Sequence, residues 1–198
     1  MLSLALTDGL LCLVAAWLAS RPQFGIGYRM AFGLLALPAL LGFLRFSGLY
    51  PMEGWHQLFS ALGASAALPL LAVCVLAPDS AVAQRRQFTL IFLGAAMLLG
   101  LLISGLGKLR IYDQAAGLVS MALMLWALFK AKDGRRALGL AFMVSGSLFF
   151  VAKVTLAPWL LPGDWLHLGM AAGLLLVAPS AQDAPIKECL VPGSDQRG

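Results

Sequence analysis

Pro158-Trp-Leu-Leu-Pro-Gly-Asp164-Trp-Leu-His167 runs without interruption into Leu168-Gly-Met-Ala-Ala-Gly-Leu-Leu-Leu-Val177, an apolar helix-forming stretch with an acid and an imidazole at its mouth. Asp164 and His167 are three residues apart and share one helical face. Ionisable groups at the edge of such a run are functional candidates when the run lies in a bilayer. Runs of the same kind recur along the whole chain. Each holds roughly 18–22 apolar residues between short polar breaks, enough to cross a hydrocarbon core of about 30 Å as a helix.

Composition agrees with that reading. Of 198 residues, 61% are hydrophobic and 12% charged, against about 45–50% and about 25% in an average soluble domain. A strict alternation of apolar and polar residues, which a membrane barrel requires, is absent. Helices are the remaining way to satisfy a backbone in lipid. The expected fold is therefore an all-α membrane protein, a seven-helix transmembrane bundle.

The predicted helices run over 2–19, 28–49, 55–76, 88–106, 114–129, 136–157 and 165–178. They are separated by stop and turn chemistry at Arg21-Pro22, Tyr50-Pro51, Pro78-Asp79, Gly105 to Lys108, Asp133-Gly134 and Pro158 to Gly163. The first residues are read as a retained helix, because a basic leader segment and a clean Ala-x-Ala site are missing and Asp8 interrupts the run. Residues 1–178 form the transmembrane domain. Residues 179–198, polar and rich in Pro and Gly, are expected to be a disordered cytoplasmic tail.

Charge sets the expected orientation. One set of loops carries Arg21, Arg29, Arg85, Arg86, Lys130, Lys132, Arg135 and Arg136 against only Asp79 and Asp133; on the other side bases and acids balance. Short basic loops stay cytoplasmic, which puts the amino terminus outside and the carboxyl terminus inside, in a cell inner membrane. The net charge of +5 is accounted for by these loops and by anionic headgroups. With no recognition motif beside it, the charge does not imply nucleic acid. Cys12, Cys74 and Cys189 have neither CxxC spacing nor an even count and are expected to be free thiols.

Alternation gathers Asp8, Arg45, Glu53, His56, Lys108, Arg110, Asp113, Lys153, Asp164 and His167 at one face of the membrane. A charge inside a helix end costs a few kcal/mol unless it pairs or reaches water. Asp8, Arg45, Lys153, Asp164 and His167 are therefore expected to converge, with Arg45 or Lys153 meeting Asp8 or Asp164 across the bundle. Simpler roles compete. Arg45 and Lys153 can reach headgroups alone, Asp113 and Asp164 suit helix starts, and His56 beside Trp55 suits an interfacial belt.

The Gly169-Met-Ala-Ala-Gly173 spacing favours close helix packing, in the core or against a helix of a partner. Pro38 and Pro69 are expected to kink their helices, and Ser145 and Ser147 to bond their own backbone. Helix 7 has no lysine for a retinal Schiff base, the two histidines cannot serve two haems, and no nucleotide or hydrolase signature occurs.

Asp8 in the first helix, Gly42-Phe-Leu-Arg45 ending the second and Asp164-Trp-Leu-His167 opening the seventh resemble the ceramidase-like seven-helix membrane hydrolase superfamily. The resemblance implies zinc held by histidines of helices 2 and 7 near a serine and an aspartate, and cleavage of lipid amide or ester bonds. His167, Asp164 and Asp8 would then be the catalytic candidates, with His167 as metal ligand. Arg45 stands where the second helix would supply its histidine. A catalytic zinc needs three protein ligands, so the expectation is a pocket without a metal cofactor, binding membrane lipids or an anionic small ligand through Asp8, Arg45, Lys153, Asp164 and His167, with hydrolysis as the alternative.

Overall fold

The computed structural model describes residues 2–51, 53–105, 109–155, 157 and 159–179, and among these the chain is helical with no strand. The helices are α1 (Leu2–Ala19), α2 (Ile26–Phe46), α3 (Glu53–Leu62), α4 (Leu68–Leu76), α5 (Ala81–Gln84), α6 (Arg86–Gly105), α7 (Leu109–Lys130), α8 (Gly134–Val151) and α9 (Pro162–Val177). A π-helical turn, Gly63–Ala67, joins α3 to α4 into one rod. Residues 180–198, with Cys189 and almost all of the expected tail, lie outside the described residues, as do Lys108 and the side chains of Arg110 and Asp113.

Four rods are long and apolar enough to cross a membrane: Leu2–Ala19, Ile26–Phe46, Glu53–Leu76 and Gly134–Val151. Their outside is as apolar as their inside. On α1, Leu2, Leu6, Leu13 and Trp17 are exposed while Thr7 and Asp8 are buried, the reverse of a water-soluble helix. Such an arrangement is compatible with a membrane protein.

At Pro69 the helix departs from regular α geometry. Pro69 has no N–H to offer the Ser65 carbonyl, and the helix absorbs the loss by widening into the π turn directly before it, where the Leu68 N–H bonds the Gly63 carbonyl. The Ser120 hydroxyl of α7, bonded to Ala116 O at 2.7 Å, also lies 3.5 Å from Ala64 O. On the other side Gly63 faces Pro38 of α2. The widened turn faces a proline-bearing helix, and a small cavity lined by Pro38 and Ala39 of α2 and by Ser60 and Gly63 borders the candidate site.

Packing is closest between α8 and α9 and between α1 and α2, and α9 returns to α1. Glycines set the α8–α9 approach. A Cβ on Gly169 would come within 2.6 Å of Phe142 O and 3.1 Å of the Gly146 Cα, and one on Gly173 within 2.7 Å of Gly139 O. The helix that meets the Gly169/Gly173 pair is thus α8 of the same chain.

α8 ends six residues before the expected limit. Lys153 adopts a left-handed conformation with φ 53°, its N–H bonds Phe150 O and the next N–H, of Val154, bonds Phe149 O. These bonds close the last carbonyls of the helix and turn the chain out of it.

Candidate functional site

Asp164 is the third residue of α9, after Pro162, whose missing N–H and fixed φ suit a helix start. Its Oδ2 accepts from the Leu161 N–H at 2.7 Å while its own N–H bonds Leu161 O at 2.9 Å. The acid therefore caps the helix it opens. Its Oδ1 accepts from the Thr7 hydroxyl of α1 at 2.8 Å, so the fully buried carboxylate also fastens the last helix to the first.

Asp8, next to Thr7, turns toward α2. Gly42 makes room for it, since a Cβ at that position would overlap the Asp8 carboxylate. Asp8 Oδ1 lies 3.3 Å from His167 Nδ1, and Thr7 Oγ1 lies 3.5 Å from the same nitrogen. Asp8 Oδ2 is buried with no hydrogen-bond partner. With Asp8 ionised, Nδ1 carries the proton and donates to Oδ1, leaving Nε2 of His167 as an acceptor.

The other charges do not join this group. Arg45 Nη2 pairs with Glu53 Oε1 at 2.9 Å and Nη1 lies 3.3 Å from His56 Nδ1. The expected pairing of Arg45 with Asp8 or Asp164 is therefore corrected: Glu53 reaches the guanidinium across a short turn, and an exposed acid needs no desolvation to do so. Lys153 is corrected likewise, being exposed beyond the end of α8 rather than one turn inside it. Of the five expected ligand-binding residues, Asp8, Asp164 and His167 converge and Arg45 and Lys153 stand apart.

A cavity of about 150 Å³ adjoins the group, with Asp8, His167, His56 and Ser60 among its lining and Pro38 and Gly63 in its wall. Arg45 can only donate, so the His56 Nδ1 facing it accepts and His56 Nε2 carries the proton. The cavity thus combines an imidazole acceptor on His167, an imidazole donor on His56 and a hydroxyl on Ser60. An apolar wall surrounds these few polar groups, as in small-molecule sites generally.

The same geometry tests a zinc ion against the residues present. Both oxygens of Asp164 hold protein donors, Nδ1 of His167 faces Asp8, and His56 Nδ1 accepts from a guanidinium. No group of three or more His, Cys, Asp or Glu side chains suited to a metal occurs among the described residues. They do not fit the three-ligand set of a catalytic zinc, and no chemical step is derived through one.

Thr7 and Ser60 are the site residues that sequence reasoning passed over. Thr7 links Leu4 O, Asp164 and the vicinity of His167; its signal was a hydroxyl immediately before the single acid of an apolar helix. Thr7→Val keeps the shape and leaves the buried Asp164 Oδ1 without its donor. We expect a loss of about 1–2 kcal/mol in stability, read by thermal unfolding in detergent; an unchanged midpoint would show that the bond is not formed.

The family model described as a family of unknown function (DUF6962) matches residues 3–184 of the chain. No curated protein and no solved structure matches it.

Proposed function

We propose, on the premise that the chain belongs to this family of unknown function (DUF6962), that it is a seven-crossing protein of the cell inner membrane, amino terminus outside, whose pocket at the outer face binds a small polar ligand or lipid headgroup. The topology rests on the basic loops and on the apolar stretches of α6 and α7 beside the four longer rods. α9, of 16 residues, completes the count.

The observation that carries the ligand reading is the Asp8–His167 contact beside the cavity. It orients His167 so that Nε2 is left to accept, while His56 opposite can donate. A hydroxyl satisfies both, since it donates and accepts at one oxygen. A phosphate or carboxylate is less suited, because the guanidinium expected to hold it is engaged by Glu53.

Thermal unfolding of the purified protein tests this with ethanolamine and with inorganic phosphate at matched ionic strength. Ethanolamine should raise the midpoint, and Asp8→Asn and His167→Ala should each remove most of that rise. Stabilisation by phosphate that disappears in Arg45→Ala would overturn the assignment and restore the anionic ligand.

Hydrolysis of a lipid amide or ester, without the zinc of the ceramidase-like plan, is a second reading favoured by the same contact. An imidazole oriented by a carboxylate can act as general base, and the Ser60 hydroxyl borders the same cavity. Release of fatty acid from a short-chain ceramide or diacylglycerol, lost in His167→Ala and in Ser60→Ala, would favour this reading over simple binding.

A further inference from the structure

The arginines with described side chains divide into two kinds. Arg45 pairs with Glu53 and Arg136 with Asp133, Arg29 and Arg135 donate to backbone carbonyls, and Arg21 lies over the Trp17 ring. Arg85 and Arg86 differ from all of these. Among the described residues no hydrogen bond, ion pair or aromatic ring engages either guanidinium, and both residues are exposed.

The corner that carries them is braced. Arg85 links α5 to α6 in an extended conformation, and Arg86 opens α6. One turn on, the buried Thr89 hydroxyl donates to Val82 O at 2.6 Å and lies 3.2 Å from Arg85 O, which ties α6 to α5. α5 in turn rests on the start of α2, where a Cβ on Gly27 would come within 2.9 Å of the Ala83 Cα. Two like charges are thus held side by side, and an anion placed between them relieves their repulsion.

A space of about 510 Å³ opens beside the pair, lined by Arg85, Arg86, Gln87 and Leu90. Below it, Arg86, Leu90, Gly94 and Leu98 follow at intervals of four on one face of α6, and all four are exposed. Nothing lies within 4 Å of a Cβ built on Gly94, so the stripe dips between its two leucines. A cation followed by apolar residues is the order met on passing from headgroups into hydrocarbon. The level along the bundle agrees. Alternation of the helices puts the start of α6 at the same end as the close of α1 and α7. There the exposed Trp17 and Trp126 lie beneath Arg21 and Lys130 at 4.1 and 4.6 Å, and tryptophan is enriched at the membrane–water boundary. A soluble anion would use the guanidinium pair and leave the stripe bare, whereas a lipid uses both.

We propose that Arg85 and Arg86 bind the phosphate of an anionic phospholipid, one acyl chain of which lies along Leu90, Gly94 and Leu98. The planar N–H groups of guanidinium match phosphate oxygens. A net negative headgroup is selected, because the ammonium of a zwitterionic one would enter the field of both arginines. The site is separate from the Asp8–His167 cavity and requires only that the protein reside in a membrane.

The test measures binding of phosphatidylglycerol and of phosphatidylcholine with the same chains to the full-length protein in detergent at low ionic strength. Phosphatidylglycerol should bind roughly ten- to thirtyfold more tightly. The preference should disappear when Arg85→Gln and Arg86→Gln are combined. It should persist when Lys130→Gln and Lys132→Gln are combined, which removes the same charge from the same end of the bundle. Equal binding of the two lipids by the unmodified protein would overturn the proposal without recourse to a variant. A preference lost equally in both double variants would assign it to the general charge of that end and overturn it as well. Glycerol phosphate, which lacks the chains, should compete poorly; competition as strong as that of phosphatidylglycerol itself would make the ligand a free phosphate ester and overturn the lipid assignment.

Discussion

Gly169→Val should lower the stability of the protein by about 3 kcal/mol or more. The Cβ alone would lie 2.6 Å from the Phe142 carbonyl oxygen and 3.1 Å from the Gly146 Cα, and both are backbone atoms that cannot swing aside as a side chain does. Accommodation requires α8 and α9 to separate, which opens the tightest contact of the fold. Overpacking into a yielding core costs about 1–3 kcal/mol, and this site lies at or beyond the upper end. Gly33→Val supplies the contrast, because nothing lies within 4 Å of a Cβ built there. Thermal unfolding of both variants in detergent measures the difference; equal loss would mean that the α8–α9 contact is looser than described.

Asp164→Ala should cost a similar amount, about 3–5 kcal/mol, for an electrostatic reason. The carboxylate accepts from Leu161 N–H and from the Thr7 hydroxyl while fully buried. Truncation leaves two neutral donors unpaired, and each buried hydrogen-bonding group left without its partner costs about 1–3 kcal/mol. Asp164→Asn should recover most of the loss, since its carbonyl can accept from Leu161 and its amide can donate to Thr7 Oγ1. Comparable unfolding midpoints for the alanine and asparagine variants would refute the bridging role and leave Asp164 as a simple helix-start acid. Neither outcome bears on ligand identity, so stability and binding can be tested apart.

The helical class and the approximate place of each long rod were legible because apolar length and turn residues act locally. α1 spans Leu2–Ala19 in both readings. Less local features were hidden. The π turn is written in Gly-Ala-Ser-Ala-Ala, a stretch of uniformly small residues in which no period can register, and only Pro69 after it marks the place. α5 is four residues long, too short to show a period, and its one local mark is Ser80, whose side chain accepts from the Ala83 N–H.

For the site, alternation assigns residues to an end of the bundle and cannot give azimuth. Asp8, Asp164 and His167 meet because their helices face one another at that level. Arg45 turns to Glu53, eight residues away, because a nearby flexible acid is easier to reach than a buried one that already has partners. Lys153 was misplaced by six residues of helix that the left-handed turn at its own position removes. The GxxxG spacing announced close packing but carried no information on whether α8 or another chain would provide it.

The Thr7–Asp164 bond joins residues 157 positions apart in sequence, and this separation has a consequence for biosynthesis. Chains elongate from the amino terminus at about 5–20 residues per second, so Asp8 and Thr7 emerge roughly ten to thirty seconds before the residues that will enclose them. During that interval the first helix carries a carboxylate and a hydroxyl with no partner from the final helix. It must dwell where water or the insertion machinery can solvate them. Arrival of Pro162–Val177 ends the wait, and the pocket forms only in a chain whose last helix has reached its place.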